Sequence, residues 1–196
     1  GRHYREGMSD LQHVVARTDE LAAGTLRDLR DLLDAAFDDP AHPEEAFDDD
    51  DWDHTIGGTH VLVLDAEDRV VSHAAVVDRI IDVGGRPLRC GYVEGVATRP
   101  SSQGQGHGTR VMGRVGSLIT ERHQLGVLGT GAFHFYERLG WERWQGPAFV
   151  RLGDEIRRTP EDVYITFNIK EGEPIVVTTL TITGLDSLRD RGRRAG

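Results

Sequence analysis

The glycine-rich segment from Pro100 to Gly108 constrains the fold of this chain more than any other feature. It reads Pro-Ser-Ser-Gln-Gly-Gln-Gly-His-Gly, and it separates a β-rich run from an amphipathic helical pattern. Glycine lets the backbone turn tightly and approach a ligand with its N–H groups uncovered. The positive end of the following helix then favours an anion. A loop of this kind predicts an α/β fold with an anion site at a helix N-terminus.

Two common nucleotide-binding loops differ from this segment. A Walker loop requires Gly-Lys-Ser/Thr, and the segment contains no lysine. The dinucleotide-binding loop requires Gly-x-Gly-x-x-Gly, whereas Gly104 to Gly108 reads Gly-x-Gly-x-Gly. The loop is therefore either an anion site of another kind or a flexible glycine-rich turn.

Hydrophobic periodicity predicts a mixed sheet flanked by helices, with an antiparallel hairpin first and a strand–helix–strand–helix unit after it. Gly84 and Gly85 predict the hairpin turn, and Gly140 predicts the end of a short helix. Helices are predicted over residues 19–37 and 133–139, and after the loop on the stripe Val111, Val115, Leu118 and Ile119. Strands are predicted over residues 11–16, 60–64, 69–81, 88–97, 126–129, 141–150, 164–169 and 175–182.

The length of 196 residues suits one domain, predicted over residues 10–196 after a flexible polar segment at 1–9. Residues 38–53 interrupt the regular pattern, because they hold nine carboxylates and two prolines but no lysine or arginine. A long irregular acidic segment within a compact domain is usually functional or disordered. We expect this segment to form an insertion on the substrate side.

Charge and cysteine content exclude several classes of protein. With 23 Lys and Arg against 33 Asp and Glu, the net charge is −10, which disfavours nucleic acid and anionic membranes and favours a cationic ligand. The single cysteine excludes a disulfide framework, and the nine histidines lack metal-binding spacing, so no metal is expected. No apolar run reaches the ~18 residues of a membrane span. These features predict a cytoplasmic enzyme or binding protein.

The spacing Gln103-x-x-Gly106-x-Gly108 resembles the acetyl-CoA loop of the GNAT acetyltransferases. In that family the loop amides grip the pyrophosphate of coenzyme A. The resemblance implies the GNAT fold and acetyl-CoA as cosubstrate. The coenzyme-binding residues that it implies are Val96, Ala97, Thr98, Gln103, Gly104, Gln105, Gly106, His107, Gly108 and Thr109.

Within the GNAT superfamily the chain looks like the aminoglycoside 2′-N-acetyltransferases. The segments that carry the likeness are 51–58, 88–97, 124–126, 139–141, 146–147 and 158–162, and the most specific is Cys90-Gly-Tyr-Val-Glu-Gly-Val. The resemblance implies acetylation of an aminoglycoside antibiotic, antibiotic resistance and a homodimer.

This chain departs from that family in three places. Its acidic stretch at 40–50 is longer, and the segment between Gln124 and Tyr136 is shorter, which brings the family's substrate-facing serine onto Gly129. Its end reads Arg-Asp-Arg-Gly-Arg-Arg-Ala-Gly, without the family's acidic and aromatic tail. Kasugamycin-type and other unusual aminoglycosides therefore remain open as acceptors.

Glu94 is the candidate base for deprotonating the acceptor amine. Strand alternation places it on one face with Cys90 and Tyr92, and a carboxylate on an apolar strand is costly to bury. Gly95 next to it marks a bulge or a close ligand approach. The resemblance implies that Glu94 acts through water and that the Val96 N–H donates to the thioester carbonyl. The alternative is a glutamate paired with Arg79 or Arg89.

Tyr136 lies where GNAT enzymes often place a tyrosine near the coenzyme sulfur, and its phenol is the candidate general acid. The alternative is an aromatic core residue with a satisfied hydroxyl. Cys90 lacks an adjacent base or a helix N-terminus, so a small buried hydrophobe is expected there rather than a nucleophile.

The residues expected to contact the acceptor are Asp51, Trp52, Gly95, Gly129 and Asp162. Carboxylates pair with ammonium groups through charge-assisted hydrogen bonds, although a run of acidic residues is often only solvated, and Trp52 suits packing better than stacking.

Three functions remain open. They are an aminoglycoside acetyltransferase, a GNAT enzyme for another amine such as a polyamine or a protein N-terminus, and a non-catalytic coenzyme-A sensor.

Overall fold

The computed structural model describes residues 11–158, 163–167 and 180–183, which form one mixed sheet flanked by helices. The predicted fold class is therefore confirmed, while the segment at residues 1–9 lies outside the described residues. The helices are α1 (Ala23–Ala36), α2 (Asp49–Thr55), α3 (His107–Arg122) and α4 (Phe133–Glu137). The strands are β1 (Gln12–Arg17), β2 (Thr59–Leu64), β3 (Val70–Val83), β4 (Arg86–Thr98), β5 (Leu125–Gly129), β6 (Glu142–Arg143), β7 (Ala148–Leu152), β8 (Glu155–Arg158), β9 (Val163–Phe167) and β10 (Leu180–Thr183).

The sheet has the order β6-β9-β5-β4-β3-β10-β7-β8, and β2 and β1 add to it beside β3. The long hairpin of β3 and β4 forms its centre, and the turn contains Gly84 and Gly85 at φ +60° and +85°. Most neighbouring strands are antiparallel. The parallel pairs are β4 with β5 and β10 with β7. The centre of the sheet therefore leads directly into the glycine-rich loop that follows β4.

Helices cover the sheet with the apolar stripes that their spacing predicts. The α3 stripe is buried against Val61, Val76 and Val93 of the sheet. On α1, the side chains of Leu29 and Leu33 are fully buried in a second cluster. Burying a leucine or valine contributes roughly 1.5–3 kcal/mol. These contacts hold the start of α3 against the end of β4, where the loop lies.

The prediction of one strand over residues 141–150 is wrong. Two strands occupy this range, and they lie in separate parts of the sheet, since β6 pairs with β9 while β7 pairs with β10 and β8. The break falls at Gly146 and Pro147. Trp144 folds over Gly146, whose added Cβ would lie 2.8 Å from Trp144 Cζ2, and its indole N–H donates to the Pro147 carbonyl at 3.2 Å. Proline also lacks the N–H that a continuous ladder needs.

The acidic segment is more regular than expected, because it contains a 3₁₀ turn at Pro43–Glu45 and the helix α2. Asp48 begins α2 as its N-cap. Its carboxylate accepts from the Asp51 N–H at 3.0 Å, and the Asp51 carboxylate accepts from the Asp48 N–H at 3.2 Å. Two further carboxylates in the first turn, Asp49 and Asp50, complement the positive helix end. The charge run is therefore a helix start.

Candidate active site

The loop after β4 leaves several backbone N–H groups uncovered. Gly104 and Gly106 adopt left-handed conformations at φ +74° and +82°, and Gly106 is the N-cap of α3. The first intrahelical bond joins Arg110 N–H to Gly106 O at 3.1 Å. The N–H groups of the first three residues of α3 thus have no intrahelical acceptor. Together with the helix dipole they form an anion site of the predicted kind.

A pocket of about 530 Å³ opens at this helix end. Nine of the ten residues expected to bind the coenzyme line it, and Gln105 is the exception. The nine are Val96, Ala97, Thr98, Gln103, Gly104, Gly106, His107, Gly108 and Thr109. The pocket therefore joins the loop, the end of β4 and the start of α3 in one space. Binding of a coenzyme by these residues stays a prediction.

Sequence reasoning missed four other residues of the pocket wall, which are Ser102, Ala132, Phe135 and Arg138. An added Cβ on Gly108 would lie 3.4 Å from Phe135 Cζ, so a glycine lets α3 approach α4 closely. Arg138 supplies a positive charge to a pocket suited to an anion. A basic residue two positions after Tyr136 was the available signal for it.

The predicted bulge lies in β4 next to this pocket. The register pairs His73 with Ala97 and then Ala75 with Glu94, so Gly95 and Val96 stand opposite a single residue of β3. Gly95 has φ +59°, which suits glycine and allows the irregular step. The bulge therefore takes the Gly95–Val96 peptide out of the regular ladder.

The pairing between β4 and β5 ends before either strand does. Their parallel pairing stops at Tyr92 and Val127, although β4 continues to Thr98 and β5 to Gly129. Glu94 is half-buried beside this divergence, two residues beyond the last paired position. The candidate base therefore lies next to the bulge, just past the point where β4 and β5 stop pairing.

Tyr136 comes from α4 and lines the pocket with its ring packed in the core. Its side chain is 7% exposed and meets the Phe135 ring edge-on, with the centroids 4.9 Å apart. Burial raises the pKa of the Tyr136 phenol above its ordinary value, so the group remains protonated at neutral pH. A protonated phenol at a pocket wall can act as a proton donor.

His107 begins α3 and forms part of the pocket wall. Its side chain is buried, and Nδ1 has no hydrogen-bond partner among the described residues. Burial is the main cause that lowers the pKa of His107, and the neighbouring Arg110 and His13 add to it. The imidazole is therefore neutral at pH 7 and adds no charge to the pocket.

The residues expected to contact the acceptor are spread over several elements. Asp51 is 3% exposed, and its carboxylate accepts from the N–H of Asp48, the N-cap of α2. Trp52 packs against the cluster under α1, and the guanidinium carbon of Arg30 lies 5.8 Å from its ring centroid. Gly129 ends β5, and Asp162 lies outside the described residues. Gly95 contacts α2, since its added Cβ would lie 3.1 Å from Thr55 Cγ2.

Cys90 is fully buried in the middle of β4. Burial raises the pKa of its thiol, which keeps the sulfur protonated and unreactive.

Among residues 11–158 and the two later strands, no three His, Cys, Asp or Glu side chains gather in a way that could hold a metal. None of the helices in the described part of the chain is long and apolar enough to span a bilayer.

A β4 bulge, a glycine-rich loop at the start of α3 and a tyrosine on α4 lie around one pocket, as expected of an acyltransferase that uses acyl-coenzyme A. Residues 17–144 match the family described as Acetyltransferase (GNAT) domain, and this chain belongs to the GNAT acetyltransferases. It is 36% identical over 162 residues to the aminoglycoside 2′-N-acetyltransferase of Mycolicibacterium fortuitum, covering 82% of this chain and 80% of that protein. The resemblance seen in the sequence is confirmed.

Solved structures share the same fold. The GNAT family N-acetyltransferase YhbS from Escherichia coli, crystallised with CoA, matches with a TM-score of 0.65 at 16% identity, covering 92% of this chain and 93% of that one. A GNAT family acetyltransferase from Brucella melitensis with acetyl-CoA matches at 0.55 and 14% identity, covering 86% and 94%. Some other matching chains are longer, and this chain covers 32% to 34% of them.

Proposed function

We propose that this protein transfers the acetyl group of acetyl-CoA to an aminoglycoside, with the 2′-amine as acceptor. The observation that carries the proposal is the single pocket shared by the α3 loop, the end of β4 and Tyr136. The 36% identity to an aminoglycoside 2′-N-acetyltransferase supports this class of acceptor. Two fold neighbours crystallised with CoA or acetyl-CoA support the cosubstrate.

Coenzyme binding rests on the first turn of α3. The N–H groups of His107, Gly108 and Thr109 and the helix dipole receive the pyrophosphate, and Arg138, which also lines the pocket, adds a positive charge. Gly104 and Gly106 let the loop backbone follow the phosphates without side chains in between.

The chemistry follows from three groups, which are the Glu94 carboxylate, the Val96 N–H and the Tyr136 phenol. Glu94 takes a proton from the acceptor ammonium through a water molecule, which frees the nitrogen lone pair. The amine attacks the thioester carbon, and the Val96 N–H donates to the carbonyl oxygen as it becomes negative. The carbon–sulfur bond then breaks as the thiolate takes the Tyr136 proton, and the second proton lost by the attacking nitrogen restores the Tyr136 phenol. The products are an acetamide and coenzyme A.

Acceptor binding rests on the charge of α2, which packs on the bulge through Thr55. Asp50 and Asp53 are exposed on this helix, and the chain has a net charge of −10, so a polycationic sugar is attracted to this side. Asp51, Trp52, Gly129 and Asp162 remain the expected direct contacts. We also propose a homodimer, which sedimentation velocity tests.

Thiol release from acetyl-CoA tests the function with kanamycin, gentamicin, kasugamycin and spermidine as acceptors. Release with an aminoglycoside, and a product whose mass spectrum places the acetamide on the 2′-nitrogen, are expected. Release with spermidine alone would instead support a GNAT enzyme for another amine. Tight CoA binding without release in any reaction would support a sensor.

A pair of charge variants tests the acceptor side. Replacing Asp50 and Asp53 together with asparagine should raise KM for the aminoglycoside and leave the CoA dissociation constant unchanged. Asp154→Asn is the matched control, because Asp154 is also exposed but lies in the turn between β7 and β8. Equal KM values in the two proteins would contradict an acceptor site at α2.

A further inference from the structure

A chain of hydrogen bonds runs through the protein interior to the Gly95 carbonyl. Gly57 N–H donates to Thr18 Oγ1 at 2.8 Å, and Thr18 Oγ1 lies 2.6 Å from His60 Nε2. His60 Nδ1 lies 2.9 Å from His73 Nε2, and His73 Nδ1 lies 2.7 Å from the Gly95 oxygen. Both imidazoles are 0% exposed. Four consecutive contacts thus connect Gly57, the second residue after α2, with the bulge in β4.

The direction of every proton in this chain follows from its two ends. A carbonyl oxygen only accepts, so His73 Nδ1 carries a hydrogen. Burial lowers the pKa of His73 to about 3 and that of His60 to about 4, so both rings are neutral and each carries one N–H. His73 Nε2 therefore accepts from His60 Nδ1–H, and His60 Nε2 accepts from the Thr18 hydroxyl.

This arrangement gives a hydrogen-bond partner to the Thr18 hydroxyl and to both nitrogens of each of the two imidazole rings. The Thr18 oxygen donates to His60 and accepts from Gly57, so the four contacts all point towards Gly95. Aligned hydrogen bonds in a dry interior polarise one another, which strengthens the last bond. Unpaired polar groups would be costly at this depth. Two neutral histidines in their less common Nδ1–H tautomer are the result.

The Gly95 carbonyl belongs to the same peptide unit as the Val96 N–H. The bulge removes the regular ladder partner of this peptide, since Gly95 and Val96 face only one residue of β3. His73 therefore supplies the contact that orients the peptide plane, and Thr55 packs against the glycine at 3.1 Å from an added Cβ. A hydrogen bond accepted at the carbonyl also makes the N–H of the same peptide a stronger donor.

We propose that His73, held by His60 and Thr18, is a positioning residue that orients and polarises the Gly95–Val96 peptide as donor to the thioester oxygen. The inference rests on the proposed function, because the peptide that His73 orients is the donor in that reaction. His73 does not touch the substrate; it acts through the backbone. The same pair of histidines would otherwise be only a satisfied part of the core.

Two conservative variants of His73 separate these roles. The amide nitrogen of asparagine falls near the position of Nδ1 and can donate to Gly95, whereas the amide oxygen of glutamine can take the position of Nε2 and accept from His60 Nδ1–H. His73→Asn keeps a donor to Gly95, whereas His73→Gln keeps only the contact with His60. Loss of one oxyanion donor costs about 10²–10³ in kcat, so a misoriented donor should cost at least about tenfold.

We expect His73→Gln to lose kcat about tenfold or more with an unchanged KM for acetyl-CoA, and His73→Asn to retain kcat within about threefold. An active wild-type protein whose two variants have equal kcat would overturn this inference alone. A wild-type protein that releases no thiol with any amine would overturn the proposed function as well. Thermal unfolding and CoA affinity of each variant show that it is folded.

A measurement on the wild-type protein needs neither a variant nor a substrate. Long-range ¹H–¹⁵N spectra of the imidazole rings report which nitrogen carries the hydrogen. We expect two of the nine histidines to show neutral Nδ1–H rings that do not titrate between pH 5 and 8. An Nε2–H tautomer on His73 would show that His73 does not donate to the Gly95 carbonyl. It would overturn the inference even if both variants folded poorly.

Discussion

Replacing Gly106 with alanine tests the most constrained point of the loop. Gly106 has φ +82° and is the N-cap of α3. An added Cβ meets no atom within 4 Å, so the substitution causes no clash. Its cost comes from the left-handed backbone, which is about 1–2 kcal/mol less favourable for a residue with a Cβ.

That free energy must appear in one of two quantities. If the loop keeps its shape, the free energy of unfolding falls by about 1–2 kcal/mol, and Tm falls by roughly 2–8 °C for a chain of this size. If the loop relaxes, the fraction competent for binding falls, and the Kd for CoA rises about 5- to 30-fold. Urea unfolding and isothermal titration of CoA measure the two together.

Gly113→Ala is the matched control on the same helix. Gly113 is exposed within α3, and an added Cβ there also meets no atom within 4 Å. Alanine in a helix interior should stabilise the protein by about 0.5–1 kcal/mol and leave the Kd for CoA unchanged. If Gly106→Ala gave the same stability and the same Kd as this control, the strained-loop explanation would be refuted.

Three further predictions concern the site and the buried histidines. Glu94→Gln should lower kcat/KM about 10²–10⁴-fold without changing the CoA Kd, and wild-type CoA affinity with wild-type turnover would remove Glu94 from the mechanism. Tyr136→Phe should lower kcat. Because the pKa of the phenol is raised, a pH–rate profile of the wild-type protein should show no alkaline decline up to about pH 10. His60 and His73 have lowered pKa values, so the unfolded chain binds more protons below pH 6.5, and urea unfolding should show stability falling from pH 6.5 towards pH 4. A flat stability curve over that range would mean that these rings are not buried and neutral.

The local sequence was enough to predict the backbone structure wherever a residue's conformation depends on its neighbours in the chain. Gly104 and Gly106 of the loop, the two glycines of the Gly84–Gly85 turn and Gly95 of the bulge have positive φ, which few other residues adopt. The apolar stripe of α3 likewise follows from spacing alone. These features locate the pocket at the end of β4.

Predictions failed where distant contacts outweigh local pattern. Residues 141–150 alternate well enough for one strand, but Trp144 over Gly146 and the proline after it divide them between two parts of the sheet. The acidic run looked irregular, yet reciprocal capping by Asp48 and Asp51 starts a helix there. Neither contact is visible in the periodicity of the chain.

The sequence by itself determined the loop, the central hairpin and the kind of ligand that uncovered amides attract, because backbone freedom and apolar spacing act over a few residues. Only the tertiary structure decided which groups meet across the sheet. The pocket joins Tyr136 to a loop some thirty residues earlier in the chain, and the proton order of His60 and His73 depends on Thr18 and Gly95 at its two ends. A hydrogen-bond direction is a property of the whole buried network, so no single segment contains it.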